Sequence, residues 1–157
     1  MGENVARLSG ISRNLSAFLD MIAVSEGTAG KGDDGYNVIV GFTTFHDYSK
    51  HPKILVRLKP GLKSTAAGRY QVLYKYAIAY QKMLGLKDFS PESQDRIAIQ
   101  MIREQRGLED VEAGRIRAAI AKCANIWASF PGAGYGQHEN RLDRLLVAFK
   151  NAQRDTA

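Results

Sequence analysis

Glu26 closes an apolar helical run, A-V-S-E-G-T at positions 23–28, where the pattern asks for one more aliphatic side chain. Leu15, Phe18, Leu19 and Ile22 precede it. At about 100° per residue, Glu26 falls within roughly 40° of Leu15, Leu19 and Ile22 and continues their stripe. Gly27, directly after it, is the residue type that ends a helix in a left-handed cap. The carboxyl is therefore expected at a helix terminus, one side against the core and the other at an opening. Desolvation there keeps an acid protonated near neutral pH, the state that can protonate a glycosidic oxygen. The competing reading is a buried structural carboxylate paired with a core cation such as Arg69.

A hydrolase of that kind normally uses a second carboxylate. Asp33 and Asp34 lie one loop after Glu26 and could face it across a cleft, although D-D-G is also an ordinary turn signal. In S-T-A-A-G-R-Y-Q at 64–71, Gly68 lets backbone approach a ligand, while Tyr70 and Gln71 offer a ring and an amide suited to an N-acetyl sugar. Periodicity assigns Tyr70 to the core and leaves Gln71 unexplained. P-G-A-G-Y-G-Q at 131–137 surrounds Tyr135 with glycines, the setting of a ring that faces a ligand. Other chemistry has little support. His46 and His51 lack further metal ligands at a workable spacing, so neither metal nor cofactor is expected. Cys123, in amphipathic I-A-K-C-A-N-I-W, reads as a buried thiol, and a pairing with His138 rests on no local pattern. The glycines at 27–35 do not follow a strand, which excludes a dinucleotide fingerprint.

These residues need elements to position them. A first helix is predicted over 13–26, capped by Ser12 or Asn14. The loop G-T-A-G-K-G-D-D-G follows. Two short strands are predicted, in Y-N-V-I-V-G-F-T-T-F and in K-I-L-V-R-L at 53–58, with 59–68 a loop. Helical periodicity resumes at Arg69, placing Tyr70, Leu73, Tyr74, Ala77 and Ile78 on one face until Gly85. Ser90-Pro91 starts the next helix. Helices near 108–113, 115–128 and 137–153 complete the chain, the last with Leu142, Leu145, Leu146 and Phe149 on one side. The fold class is α+β, mostly helical with a small antiparallel β element after the first helix.

A chain of 157 residues with 45% apolar and 24% charged residues suits one folded domain, here 1–157 with 1–12 as an N-terminal extension. Its net charge of +6 points to an anionic partner. Clustered Lys/Arg helices and helix-turn-helix patterns are missing, which argues against nucleic acid. One cysteine excludes an internal disulfide framework. No apolar stretch approaches a membrane span, and the N-terminus has no export-type apolar core, so synthesis and folding in a cytoplasm are expected. The basic face of the last helix, with Arg141, Arg144, Lys150 and Arg154, reads as solvated and not as a stable membrane insertion.

The blocks S-E-G-T, G-Y-N-V-I-V-G, L-K-S-T-A-A-G-R-Y-Q, L-G-L-K-D-F-S-P-E-S-Q-D and N-I-W-A-S-F-P-G-A-G-Y-G-Q strongly resemble the lambda-type endolysins of phages and prophages, across roughly residues 15–152. The resemblance implies a lysozyme-like fold with its cleft between the β-containing and helical parts. It implies cleavage of the β-1,4 bond between N-acetylmuramic acid and N-acetylglucosamine of peptidoglycan, by a lytic transglycosylase that leaves a 1,6-anhydromuramyl end. Glu26 is then the catalytic acid/base, and Ser64, Gln71 and Tyr135 stand in blocks that line the cleft. Asn37, in G-Y-N-V, replaces a family Asp beside the cleft, and the loop from Glu26 to Tyr36 is several residues shorter. The family further implies a monomer that waits in the host cytoplasm and reaches the periplasmic wall once a separate holin opens the membrane. The alternative is a T4-type hydrolytic lysozyme with Asp34 or Asp33 as second carboxylate. Those enzymes carry a Thr that holds water where this chain has Val38. A third reading is a non-enzymatic basic binding module.

Overall fold

The computed structural model describes residues 5–135 and 138–155. Helix α1 spans Arg13–Glu26 and has both predicted ends. Ser12 Oγ accepts the Leu15 N–H at 3.0 Å, and Gly27 closes the helix at φ 79° with its N–H on the carbonyls of Ala23 and Val24. Ser16, Ala17, Phe18 and Leu19 are buried in succession, so α1 is enclosed on all sides. A helix buried all round is a central helix, not the surface helix that a single stripe describes.

The β element is smaller than expected and differently placed. Strand β1 (Val56–Lys59) pairs antiparallel with β2 (Leu62–Ser64), so part of the stretch read as loop is strand. The predicted strand through Y-N-V-I-V-G-F-T-T-F does not form. It makes only isolated bridges, Val38 to Thr44 and Ile39 to Ala67. Gly35 and Gly41, each at φ 86°, and Phe42 at φ 73° turn the chain back on itself, and Ile39 N–H reaches Thr43 O at 2.7 Å. Its β-branched and aromatic residues serve the core instead: Tyr36, Val38 and Ile39 are buried.

Helix α2 (Tyr74–Leu84) starts five residues later than its periodicity suggests. Gln71 sits at φ 53°, a left-handed conformation that interrupts a helix, and Ala67 and Val72 close a bridge across it. Ala77 is buried, whereas Ile78 lies exposed. Helix α3 (Pro91–Glu104) is capped by Ser90 with Pro91 in its first turn. Helices α4 (Leu108–Glu112), α5 (Ile116–Cys123) and α6 (Leu142–Asp155) follow. α6 lies along α1 and buries Leu145, Phe149 and Ala152. Trp127 joins the halves: it is buried, donates Nε1–H to Tyr70 O at 3.1 Å and packs on Phe130.

A buried polar cluster ties the loop regions to α1 and α3. The Arg69 guanidinium, fully enclosed, meets Asp20 at 2.9 Å and Asp34 at 3.2 Å. Asp95 on α3 accepts from Tyr36 Oη at 2.8 Å and from the N–H groups of Arg7 and Leu8 at 2.9 and 2.8 Å. The segment ahead of α1, read as an extension, is thus hydrogen-bonded into the fold, with Ala6 buried.

Candidate active site

The last turn of α1 opens on a pocket of about 240 Å³. Ser25 and Glu26 come from the helix, Val40, Gly41 and Phe42 from the turn that replaces the predicted strand, and Gln71 from the strained bend before α2. Ala128, Ser129 and His138 complete the wall from the chain between α5 and α6. Larger hollows of about 410 and 610 Å³ lie elsewhere, lined by aliphatic residues and surface charges, and Glu26 belongs to neither.

Glu26 is half-buried with its carboxyl group deep in this wall, and burial pushes its pKa up to about 7 from 4.5. The opposing influence is one hydrogen bond: Ser129 Oγ–H donates to Oε2. Among the described residues no cation pairs with Glu26. Arg69, the partner considered from sequence, is a core cation committed to Asp20 and Asp34. Ser129 is held in turn. Its Oγ lies 2.7 Å from Ser25 Oγ, and buried Asn140 donates Nδ2–H to Ser25 O at 2.9 Å and to Ser25 Oγ at 3.1 Å.

Gln71 is the predicted binding residue that shares the pocket with Glu26. Its Nε2 hydrogens go to Gly68 O at 2.8 Å and Val38 O at 3.2 Å, so what it offers a ligand is the Oε1 acceptor. The other three stand apart from this pocket. Asn37 Oδ1 accepts the Asp33 N–H at 2.8 Å, bracing the loop behind the turn. Ser64 Oγ accepts the Ala66 N–H at 3.0 Å and faces a neighbouring hollow with Lys53, Lys63 and Lys75. Tyr135, 55% exposed, donates its hydroxyl to Asn125 O at 2.8 Å. Both candidate second carboxylates are also occupied elsewhere. Asp33 grips Arg7 and Tyr48, and Asp34 is buried with Arg69 and the Gly30 N–H.

Three residues that shape the site, Ser129 and Phe42 in the pocket wall and Asn140 behind it, were not singled out from sequence. Ser129 stands inside W-A-S-F-P, and its link to Glu26 spans 103 positions. Asn140 follows the glycine-rich loop without any local signal. Phe42 carries one: a bulky residue directly after Gly41. It is 56% exposed at φ 73°, and Lys31 Nζ lies 3.6 Å from its ring centre. The ring is thus exposed at the pocket mouth in a backbone conformation costly for a bulky residue. The remaining candidates are structural. Cys123 is buried, and burial pushes its thiol up to about 12. His51 sits between Val72 O and the Lys53 N–H, with both ring nitrogens engaged.

Residues 16–155 match the family described as Endolysin. The chain belongs to the endolysin family. It is 55% identical over 146 residues to the endolysin of Escherichia phage lambda, covering 90% of this chain and 92% of that one. To the endolysin of Escherichia phage P2 it is 52% identical over 153 residues, covering 89% and 93%. A structure of bacteriophage lambda lysozyme complexed with a chitohexasaccharide superposes with a TM-score of 0.89 at 54% identity, over 92% of this chain and 97% of that one. A second lambda lysozyme structure gives 0.85 at 53% identity. This endolysin therefore has the α+β lysozyme architecture of the lambda type and is an enzyme that cleaves glycosidic bonds.

Proposed function

We propose that this endolysin cleaves the β-1,4 bond between N-acetylmuramic acid and N-acetylglucosamine as a lytic transglycosylase, with Glu26 as sole acid and base. One observation carries the reading. Among the described residues, Glu26 is the one carboxylate lining the pocket, while Asp33 and Asp34 are spent on Arg7, Tyr48 and Arg69. Burial keeps Glu26 protonated near neutral pH, as a general acid requires. It protonates the glycosidic oxygen as the muramyl ring passes through an oxocarbenium-like state, assisted by its own N-acetyl group. The resulting carboxylate takes the proton of the muramyl C6 hydroxyl, which attacks C1 and closes the anhydro ring. An internal hydroxyl so placed reaches effective concentrations of about 10⁵ M or more, which outruns water without a residue to activate it.

Glycan strands are the proposed partner, supported by the oligosaccharide in the lambda lysozyme structure. Gln71 Oε1 suits an acetamido N–H, and Phe42 offers a face to a sugar ring. Tyr135 extends the contact along the loop, while Asn37 and Ser64 hold the walls. The protein acts as a monomer, held in the host cytoplasm until a holin opens the way to the wall. Among the described residues, no helix is long and apolar enough to cross the membrane unaided.

Replacing Phe42 by Ala removes a stacking face worth about 1 kcal/mol, so wall turnover is expected to fall about five- to tenfold. The side chain is exposed, so the melting temperature should stay within about 2 °C. Full turnover in that variant removes Phe42 from the site. The reaction itself is read from mass spectrometry of digested peptidoglycan. Anhydromuropeptides, lighter by one water than reducing muropeptides, are expected to dominate. A digest of mainly reducing ends would mean hydrolysis.

A further inference from the structure

Asn140 does not touch Glu26, yet the geometry gives it control over that carboxyl. Its Nδ2 faces two acceptors on α1, Ser25 O at 2.9 Å and Ser25 Oγ at 3.1 Å. The amide cannot be turned around, because Oδ1 would then face the Ser25 carbonyl. Ser25 Oγ therefore accepts from Asn140, and its own proton is left for Ser129 Oγ, 2.7 Å away. Ser129 Oγ, already accepting, sends its proton to Glu26 Oε2. Each hydroxyl has one hydrogen, so a fixed donor at one end fixes the direction of the whole chain. The Asn140 N–H on Ser129 O at 2.7 Å holds the far segment in register.

We propose that Asn140 is a positioning residue that, through Ser25 and Ser129, keeps Glu26 Oε2 an acceptor and so places the acidic proton on Oε1, the oxygen left for substrate. This rests on the reading of Glu26 as the catalytic acid. With a reversed or broken chain, the proton would be shared with Oε2, where it points at Ser129 instead of a glycosidic oxygen. The same chain opposes the loss of acid strength that burial alone would set, since the Ser129 bond favours the ionised form. Among the described residues, His138, ahead of α6, is the other titratable group lining this pocket; Lys31 is held over the Phe42 ring, and the rest of the wall is Val40, Gly41, Phe42, Gln71 and Ala128.

Carboxyl-carbon NMR of Glu26 follows its titration without using activity, and the high-pH limb of wall clearing follows it through catalysis. Removing the donor in Ser129→Ala should raise the Glu26 titration by about half to one unit and lower the plateau rate about tenfold. Asn140→Ala should move it the same way by less, and should add nothing once Ser129 is Ala. Ser25→Ala asks the same question with a smaller hole, should Asn140→Ala fail to fold. Ser129→Thr, which keeps the hydroxyl, should restore the wild-type titration. The same shifts in a His138→Gln background exclude His138 as their source. If the Glu26 titration stays put in Ser129→Ala, or if Asn140→Ala shifts it equally with and without Ser129, the relay is wrong. If the titration shifts while the activity limb does not follow, the relay stands and Glu26 as catalytic acid falls.

Discussion

Glu26→Gln should abolish wall clearing and, above neutral pH, melt later than the wild type. The amide keeps the shape of the side chain and can still accept from Ser129, but it has no acidic proton. Losing the general acid alone removes about 10²–10⁴ in rate, and here the same group also serves as base, so a drop of at least about 10³ is expected. The stability gain follows from linkage. Burial raises Glu26 from 4.5 to about 7 in the folded protein. Between those values the folded state binds more protons than the unfolded one, so wild-type stability falls as pH rises through that window. At pH 8 the penalty is on the order of 3 kcal/mol, and the Gln variant escapes it. The two melting curves should coincide near pH 4 and separate toward pH 8. A variant that clears walls at wild-type rates rejects Glu26 as the acid. Curves that stay parallel across pH reject its raised pKa.

Arg69→Met should cost about 3–5 kcal/mol, the largest loss of stability expected from a single change outside the apolar core. The guanidinium is fully enclosed between Asp20 and Asp34 and beneath the rings of Tyr36 and Tyr70. Methionine fills similar space and leaves two buried carboxylates without a cation. Even beside Arg69, burial pushes Asp20 up to about 6, and one of its oxygens has no hydrogen-bond partner. Without Arg69 the folded state takes up protons that the unfolded state does not, so the deficit should shrink as pH falls from 7 toward 5. The melting temperature at pH 7 should drop by on the order of 10 °C. Adding Asp20→Asn and Asp34→Asn should recover most of it, because the charges leave together. A deficit independent of pH, and unrelieved by the Asn changes, would show that Arg69 acts by packing alone.

What could be read from the sequence depended on the distance over which each feature is decided. α1 and its ends were legible because Ser12, the apolar residues and Gly27 act within the helix itself. Glu26 stood out because a charge continued an apolar stripe. The run from Tyr36 to Phe45 misled, since its residue types suit a strand while Gly35, Gly41 and Phe42 adopt positive φ and fold it into turns. The start of α2 was misplaced for a similar reason: Gln71 breaks the helix, and its amide stabilises that bend through Gly68 and Val38. Arg69 was recognised as a core cation, but its choice of Asp20 and Asp34 is made by the tertiary fold. Ser129 and Asn140 carry no local mark, and their partners lie 103 and 115 positions away.

The central claim is that one carboxylic acid cleaves the glycan and that the sugar's own hydroxyl, not water, closes the reaction. Digestion of purified peptidoglycan in water enriched in heavy oxygen, followed by mass spectrometry of the muropeptides, reads this directly. Transglycosylation predicts anhydromuramyl ends with no heavy oxygen at C1, whatever the enrichment. Reducing muramyl ends that carry the label, formed as fast as the glycan is cut, would contradict it.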